Sequence, residues 1–279
     1  MGEKKRPTVC IFCGGTPLTE EHVYGKWLRR EIPKNEVNHR RLNAIEHTDR
    51  SDFKVKLQGG DGRVLKIKCA CKVCNTGWMR DFQNEAMQVV KPMALGKPIL
   101  LDGRKQLIIA NWATMVTMTS EFIDPATVSI SQDERTFFHK NKFPPDNFRI
   151  WIGRLPMGLW RPTRVHIPMA IKEQDKPNDD AMENLNTQAS THVIGELFIH
   201  VLSSPFKNIV RDWSMPMPAS SALVEIWPLP SRLSIVWPQH VSMTGQMADT
   251  AAGAFYQYSK GVENRFRKRL GYAYDASAV

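Results

Sequence analysis

The chain has 279 residues, of which 42% are hydrophobic and 24% are charged, and its mean hydropathy is −0.36. These values are typical of folded globular proteins, and they exclude extended disorder and a membrane-embedded fold. The formal net charge is +10, and residues 1–95 hold 18 basic and 11 acidic side chains. A basic excess of this kind favours a polyanionic partner such as nucleic acid.

The N-terminal residues carry no recognisable targeting signal. They are charged and lead into no apolar run, whereas a signal peptide needs an apolar core of about 7 to 15 residues. The longest apolar stretch, residues 107–118, is too short to span a bilayer. We therefore expect a cytoplasmic protein without a membrane partner.

All five cysteines lie within the first 74 residues. Cys10 and Cys13 form one C-x-x-C pair, and Cys71 and Cys74 form a second. Each pair can point two thiolates at one ion, so that two pairs complete a tetrahedral structural zinc site. The fifth, Cys69, could replace Cys71 as a ligand in a C-x-C arrangement, but we expect it to pack beside the site.

Two strands and a helix are predicted around the second cysteine pair. Residues 53–58 and 63–69 alternate in polarity and flank a glycine-rich turn at 59–62, which predicts a β-hairpin. Apolar residues at helical spacing predict a helix that begins at or just after Asn75. The order along the chain is thus cysteine pair, Glu-His pair, hairpin, cysteine pair, helix.

This order resembles the zinc-stabilised, four-cysteine branch of the HNH endonucleases of the ββα-metal class, from bacteria or phages. The shared motifs are C-x-x-C-G, L-T-E-E-H-V followed by W-L, and C-K-V-C-N-T-G-W-M, and they cover about the first 90 residues. The resemblance implies that Glu21 and Asn75 bind a catalytic Mg²⁺ or Mn²⁺ and that His22 is the general base. It also suggests Glu85 as an accessory metal ligand.

The sequence departs from the family pattern at two places. Gly25 stands where many relatives have proline, which we interpret as a looser turn after the base. The middle Asn of the HNH triad is missing, because Lys66 or Ile67 occupies that stretch, and Asn43 or Asn38 are candidate substitutes.

The residue types suit phosphodiester hydrolysis on chemical grounds as well. A hard divalent cation neutralises charge on a phosphate, and a histidine that titrates near neutral pH can accept a proton from water. An extended strand would nevertheless point Glu21 and His22 to opposite faces. The alternatives are a surface Glu-His ion pair and an Asn75 that only caps its helix.

Basic residues around the motifs are candidate nucleic-acid contacts. On a strand, positions two apart share a face, so the lysines of the predicted hairpin form a stripe suited to phosphates. The alternative is an ordinary solvated face. The candidates are Lys26, Arg29, Arg30, Lys54, Lys56, Lys66 and Lys68.

Beyond residue 95 the sequence predicts a buried helix over 107–122 and then a mostly antiparallel sheet. A polar loop at 173–190 and a terminal helix at 251–270 with a basic end complete the pattern; that end either contacts nucleic acid or complements the helix dipole. The predicted strands are 148–152, 164–167, 191–202, 222–227 and 233–237.

The predicted fold class is α+β. Residues 1–95 form a zinc-bound ββα-metal (HNH) domain, and residues 96–279 form a linking helix and a mostly antiparallel, β-rich C-terminal domain of unknown role. The expected function is metal-dependent hydrolysis of DNA phosphodiester bonds by a His-activated water. The alternatives are a non-catalytic zinc module that binds nucleic acid or a protein, and a nuclease directed at RNA.

Overall fold

The computed structural model describes residues 6–32, 40–46, 53–59, 62–160, 162–171, 185–228 and 234–261. In the strands at 40–46 and 53–59 it describes the backbone. Asn38, residues 172–184 of the predicted polar loop and the terminal helix beyond residue 261 lie outside the described residues. None of the described helices has the length and apolar character needed to cross a bilayer.

A two-stranded ribbon and a helical segment form the N-terminal part. Strand β1 (Leu18–His22) pairs antiparallel with strand β4 (Lys66–Cys71), and these two strands form a sheet of their own. Beyond β4 the chain is helical, and β1 is followed by a short helix. These helical segments are α1 (Trp27–Glu31), α2 (Lys72–Cys74), a π-helical turn (Asn75–Met79) and α3 (Arg80–Ala94).

A seven-stranded sheet forms the centre of the molecule. Its strands are β2 (Arg40–Glu46), β3 (Phe53–Gly59), β6 (Phe148–Arg154), β7 (Pro162–Met169), β8 (Thr187–Ile194), β9 (Leu197–Ser203) and β10 (Leu223–Trp227). Their order is β10-β6-β9-β8-β7-β2-β3, and every neighbouring pair is antiparallel except β2 and β7. A separate antiparallel ribbon joins β5 (Ile99–Leu101) to β11 (Ile235–Trp237).

Helices cover both faces of this sheet. Helix α4 (Gly103–Ser120) lies between α3 and strands β9 and β10, and α7 (Gly245–Gly261) covers the opposite face against β7, β8 and β9. The remaining helices are α5 (Gln132–Asn141) and α6 (Lys207–Asp212). One hydrophobic core runs continuously from the cysteines to Trp237, and a second core lies under α7.

The predicted hairpin is wrong. Strand β3 pairs with β2, and β4 pairs with β1, because a 3-10 turn at Gly62–Val64 carries the chain from one sheet into the other. The mostly antiparallel C-terminal sheet and the buried helix are confirmed, although the run at 191–202 is a hairpin of β8 and β9 that turns at Gly195 (φ +56°). Because β2 and β3 belong to the large sheet, this sheet spans the expected division at residue 95.

Three buried histidines lie within the large sheet and have hydrogen-bond partners. His192 contacts the Tyr24 hydroxyl at 2.9 Å and the Thr117 hydroxyl at 3.1 Å, one through each ring nitrogen. Burial lowers the pKa of His166 and of His192 well below the usual range, and it lowers the pKa of His200 to about 3. These imidazoles are therefore neutral parts of the core.

Candidate functional site

The first cysteine pair lies on a tight turn. The Gly14 N–H donates to the Cys10 carbonyl at 2.9 Å, and the Cys10 N–H donates to the Gly15 carbonyl at 3.0 Å. Gly14 has φ +73°, which favours glycine. A Cβ at Gly15 would lie 3.3 Å from the Cys13 Sγ and 3.5 Å from the Cys71 Sγ, so a glycine here leaves the sulfurs room.

The second cysteine pair forms where β4 passes into α2. Cys71 still has extended backbone geometry, with φ −74° and ψ 165°, and Cys74 follows one helical turn later. Residues three apart lie on one side of a helix, so both sulfurs face the same way. The Ile11 N–H donates to the Cys69 carbonyl at 3.0 Å, and this bond holds the first turn against β4.

The two turns bring four sulfurs together. Those of Cys10, Cys13, Cys71 and Cys74 lie within 4.8 Å of one another, and the Cys13 Sγ is 3.5 Å from the Sγ atoms of Cys71 and of Cys74. Tetrahedral zinc with Zn–S bonds of about 2.3 Å requires S···S separations of about 3.8 Å. The four cysteines are thus positioned to bind a metal ion, as predicted, and their soft thiolate donors suit structural zinc.

Cys69 does not belong to this cluster. Its side chain is fully buried on the inner face of the β1–β4 ribbon, and burial raises the pKa of the Cys69 thiol to about 12. The expectation that Cys69 packs beside the site is confirmed, and the C-x-C alternative is wrong. In the part of the chain that the structure describes, the four-cysteine cluster is the one group of three or more Cys, His, Asp or Glu side chains that could hold an ion.

Glu21 and His22 end strand β1 and point to opposite faces of the ribbon. Successive side chains alternate along a strand, and Glu21 is 8% exposed whereas His22 is half-buried. Burial raises the pKa of Glu21 to about 7, while the His22 N–H and the Lys26 charge act in the opposite direction. Burial therefore favours the protonated form of the Glu21 carboxyl.

The outer face of the ribbon surrounds His22 with charged side chains. Lys66 is the cross-strand partner of His22, and the Lys66 ammonium pairs with the Glu20 carboxylate at 3.1 Å. Burial lowers the pKa of His22, the charges of Lys26 and Lys66 lower it further, and Glu20 raises it. The net shift is downward, so the imidazole is neutral at pH 7 and able to accept a proton.

Asn75 ties the beginning of the helical segment to β1. Its amide nitrogen donates to the Thr19 hydroxyl and to the Glu20 carbonyl, both at 3.0 Å. The side chain is thus bonded to the strand, and no helix-capping bond is formed by it. Glu85, the predicted accessory ligand, is exposed on α3.

The candidate nucleic-acid contacts divide between two sheets. Because β3 and β4 do not share a sheet, the predicted single stripe of lysines does not form. The side chains of Lys54 and Lys56 lie outside the described part of the chain. The other five candidates are exposed: Lys26, Arg29, Arg30, Lys66 and Lys68.

The turn after His22 is built for glycine. Gly25 has φ +79°, and a Cβ there would lie 2.4 Å from the Gln83 Oε1 and 2.8 Å from the Trp27 Nε1. Proline, whose φ is fixed near about −65°, does not fit. The interpretation of a looser turn is therefore wrong, since packing constrains this position tightly. Asn43 lies on β2 in the large sheet rather than in the ribbon.

Comparison of the chain with protein-family models, with curated proteins and with solved structures finds no match. The chemistry of the site is therefore argued from its own residues.

Proposed function

We propose that the chain is a zinc-stabilised, metal-dependent endonuclease that hydrolyses DNA phosphodiester bonds, with His22 as the general base. The observation that carries the proposal is the position of His22, a half-buried imidazole directly across the strand pair from Lys66, whose pKa is lowered by burial and by the charges of Lys26 and Lys66. His22 lies at the end of strand β1, and β1 is bonded to Asn75. Asn75 directly follows Cys74 of the four-cysteine cluster. This combination of two antiparallel strands, a helix and a cysteine centre is also what the HNH resemblance implies.

His22 would take a proton from the attacking water. The oxygen of this water forms a bond to phosphorus, and the bond from phosphorus to the 3′ oxygen breaks. A base must be unprotonated before the reaction, and the lowered pKa of His22 meets this requirement near pH 7.

The lysines around His22 would bind the substrate. Lys66 lies directly across the strand pair from His22, and Lys26 is close enough to lower the pKa of His22. Ammonium groups in these positions attract the phosphates of a nucleic acid and bring the backbone to the imidazole. The net charge of +10 agrees with a polyanionic substrate.

The candidate ligands for Mg²⁺ or Mn²⁺ are Glu21 and Asn75, with Glu85 as a further candidate. Glu21 points to the face opposite His22, so its carboxylate would have to turn before a cation it holds could reach the same phosphate. A bound divalent cation supplies charge neutralisation at the phosphate. The Asn75 amide nitrogen is bonded to β1, so its Oδ1 is the atom that would serve as ligand. A cation bound at Glu21 would lower the raised pKa of this carboxyl, because the cation favours its ionised form.

The test is plasmid cleavage by the wild-type protein and by His22→Ala, in the presence of Mg²⁺, Mn²⁺ or EDTA. We expect cleavage that requires the divalent metal, and a loss of at least about 100-fold in the variant. The exposed His240 provides the matched control, and His240→Ala should cut at the wild-type rate. Equal cutting by His22→Ala, at unchanged zinc content, would refute the proposed mechanism.

A second candidate is a zinc module that binds nucleic acid without cutting it. The buried Glu21, which points away from the face of His22, favours this function. Wild-type protein that binds DNA and leaves both a plasmid and a labelled RNA intact with every metal would support it. Metal-dependent cutting of RNA alone would keep the residues and change the substrate.

A further inference from the structure

Helix α5, which follows the predicted N-terminal domain by almost forty residues of chain, lies against both cysteine turns. At its first residue, the Gln132 amide nitrogen donates to the Ile11 carbonyl at 3.0 Å, inside the first turn. Near its end, the rings of Phe138 and His139 lie 5.7 Å and 5.8 Å from the Trp78 ring. The helix therefore bridges the two halves of the metal centre from outside.

Trp78 connects α5 to the sulfurs. The indole opposes the effect of burial on the pKa of the Cys74 thiol, although its N–H makes no hydrogen bond within the described residues. The edge of the Phe12 ring packs against it at 4.9 Å, so the indole also touches the first cysteine turn. The Lys142 ammonium lies 4.6 Å from the centre of the Trp78 ring and is bonded to the His139 carbonyl.

The backbone at Lys142 is unusual for a lysine. It has φ 62° and ψ 27°, at the C-cap of α5, and it is the one residue other than glycine with positive φ in the described part of the chain. Glycine or asparagine is the usual residue at such a cap, because a side chain in this conformation costs about 1 to 2 kcal/mol. Lysine is thus an unfavourable residue for this backbone, and its side chain offsets the cost through its contacts with the His139 carbonyl and the Trp78 ring.

A further role of this side chain follows from the charge of the metal centre. Four thiolates and one Zn²⁺ carry a net charge of −2, which is costly in a partly buried site. The Lys142 ammonium lies over the Trp78 ring, and Trp78 follows the ligand Cys74 by four residues. Burial lowers the pKa of Lys142, and the nearby Cys74 acts in the opposite direction. We propose that Lys142 is the counter-charge of the zinc–thiolate centre and slows the loss of its zinc.

The experiment measures the rate at which the full chain transfers zinc to a coloured chelator. Lys142→Met and Lys142→Asn should release zinc about 10-fold faster than the wild type, as is typical when a group that supports metal ligands is removed. Lys142→Arg keeps a cation over the indole and should restore the wild-type rate. Lys140, exposed two residues earlier on α5, is the matched control, and Lys140→Met should release zinc at the wild-type rate.

The asparagine variant separates this role from helix capping. Asn suits the left-handed backbone better than Lys but loses the bond to the His139 carbonyl, so a purely structural Lys142 predicts a changed thermal midpoint and unchanged zinc release. Faster release at an unchanged midpoint would support the counter-charge. Wild-type release from both Lys142→Met and Lys142→Asn, or a wild-type chain that purifies without zinc, would overturn the proposal.

Discussion

The metal end of the molecule and the seven-stranded sheet stabilise their polar groups in different ways. Around the cysteines, four sulfurs converge on a point that suits a cation, and lysines remain exposed beside His22. In the sheet, buried polar side chains bond to one another, as His166 does with Ser190 at 2.7 Å. We expect the first region to need a bound ion for its integrity, whereas the buried polar groups of the second are held mainly by one another.

The two regions also place their histidines differently, one in the core and one on the surface. His192 uses both ring nitrogens in the core, and burial holds it neutral. His22 is half-buried on the surface of the ribbon, and neighbouring lysines contribute to its neutrality. Both imidazoles are uncharged at pH 7, but only a histidine on the surface can reach a substrate.

Of the predicted changes, loss of a zinc ligand should destabilise the cysteine region the most. The Cys13→Ser variant should bind far less zinc. The free energy of unfolding of the ribbon and helix α3 should fall by several kcal/mol, because the binding energy of a structural zinc site contributes to folding. The measurement is zinc content by mass spectrometry together with circular dichroism. The matched control is Cys69→Ala, which removes a buried thiol outside the cluster and should retain one zinc.

If Cys13→Ser also melts the sheet in the same transition, the two regions form one cooperative unit. In that case the contrast between a metal-dependent end and an independent sheet fails.

The sheet should in turn be sensitive to acid. His200 has a pKa of about 3 in the folded protein and about 6.5 when unfolded, so the unfolded state binds more protons between these values. Stability is therefore lost as the pH falls below about 6.5, by about 2 kcal/mol at pH 5 from this residue. His200→Gln should show a smaller difference in free energy of unfolding between pH 7.5 and pH 5, measured with urea.

If the free energy of unfolding of His200→Gln depends on pH as strongly as that of the wild type, the buried imidazole is not responsible for the acid sensitivity.

The smallest effect on stability is expected for Glu20→Gln on the outer face of the ribbon. The ion pair between Glu20 and Lys66 is exposed, so its loss should change the free energy of unfolding by less than about 1 kcal/mol. If this face binds phosphates, the freed Lys66 should tighten DNA binding severalfold and steepen its salt dependence. Fluorescence anisotropy at several salt concentrations measures both.

Asp212→Asn removes an equal charge from an exposed ion pair with Arg211 on α6, which involves no candidate nucleic-acid contact. Equal effects of both substitutions on DNA binding would indicate net charge rather than a specific contact at Lys66.

Local patterns predicted part of this architecture. The cysteine spacing predicted the cluster, because a C-x-x-C turn needs few residues to fix its geometry. The buried helix and most strands of the large sheet followed from apolar runs. Strand partners could not be predicted, since alternation in β3 and β4 is compatible with several pairings, and β4 pairs with β1, which lies far earlier in the chain.

The same limit applied to the candidate site. That Lys66 lies across from His22 depends on the register of β1 and β4, and that Thr19 binds Asn75 depends on the packing of the helix against the strand. Neither has a sequence signal of its own. The tight fit of Gly25 against Gln83 is likewise a contact between distant segments. Glycine in place of the proline of many relatives had instead suggested a looser turn.

The parallel pairing of β2 with β7 has a consequence for synthesis of the protein on the ribosome. Residues 40–46 emerge early, but their partner strand begins at Pro162. At about 5 to 20 residues per second, β2 waits for several seconds before its parallel neighbour β7 exists, although its other neighbour, β3, follows soon after it. A partly synthesised chain can thus contain all five cysteines and His22 while the large sheet is still incomplete. Translation must therefore proceed well past the motifs before the fold is complete.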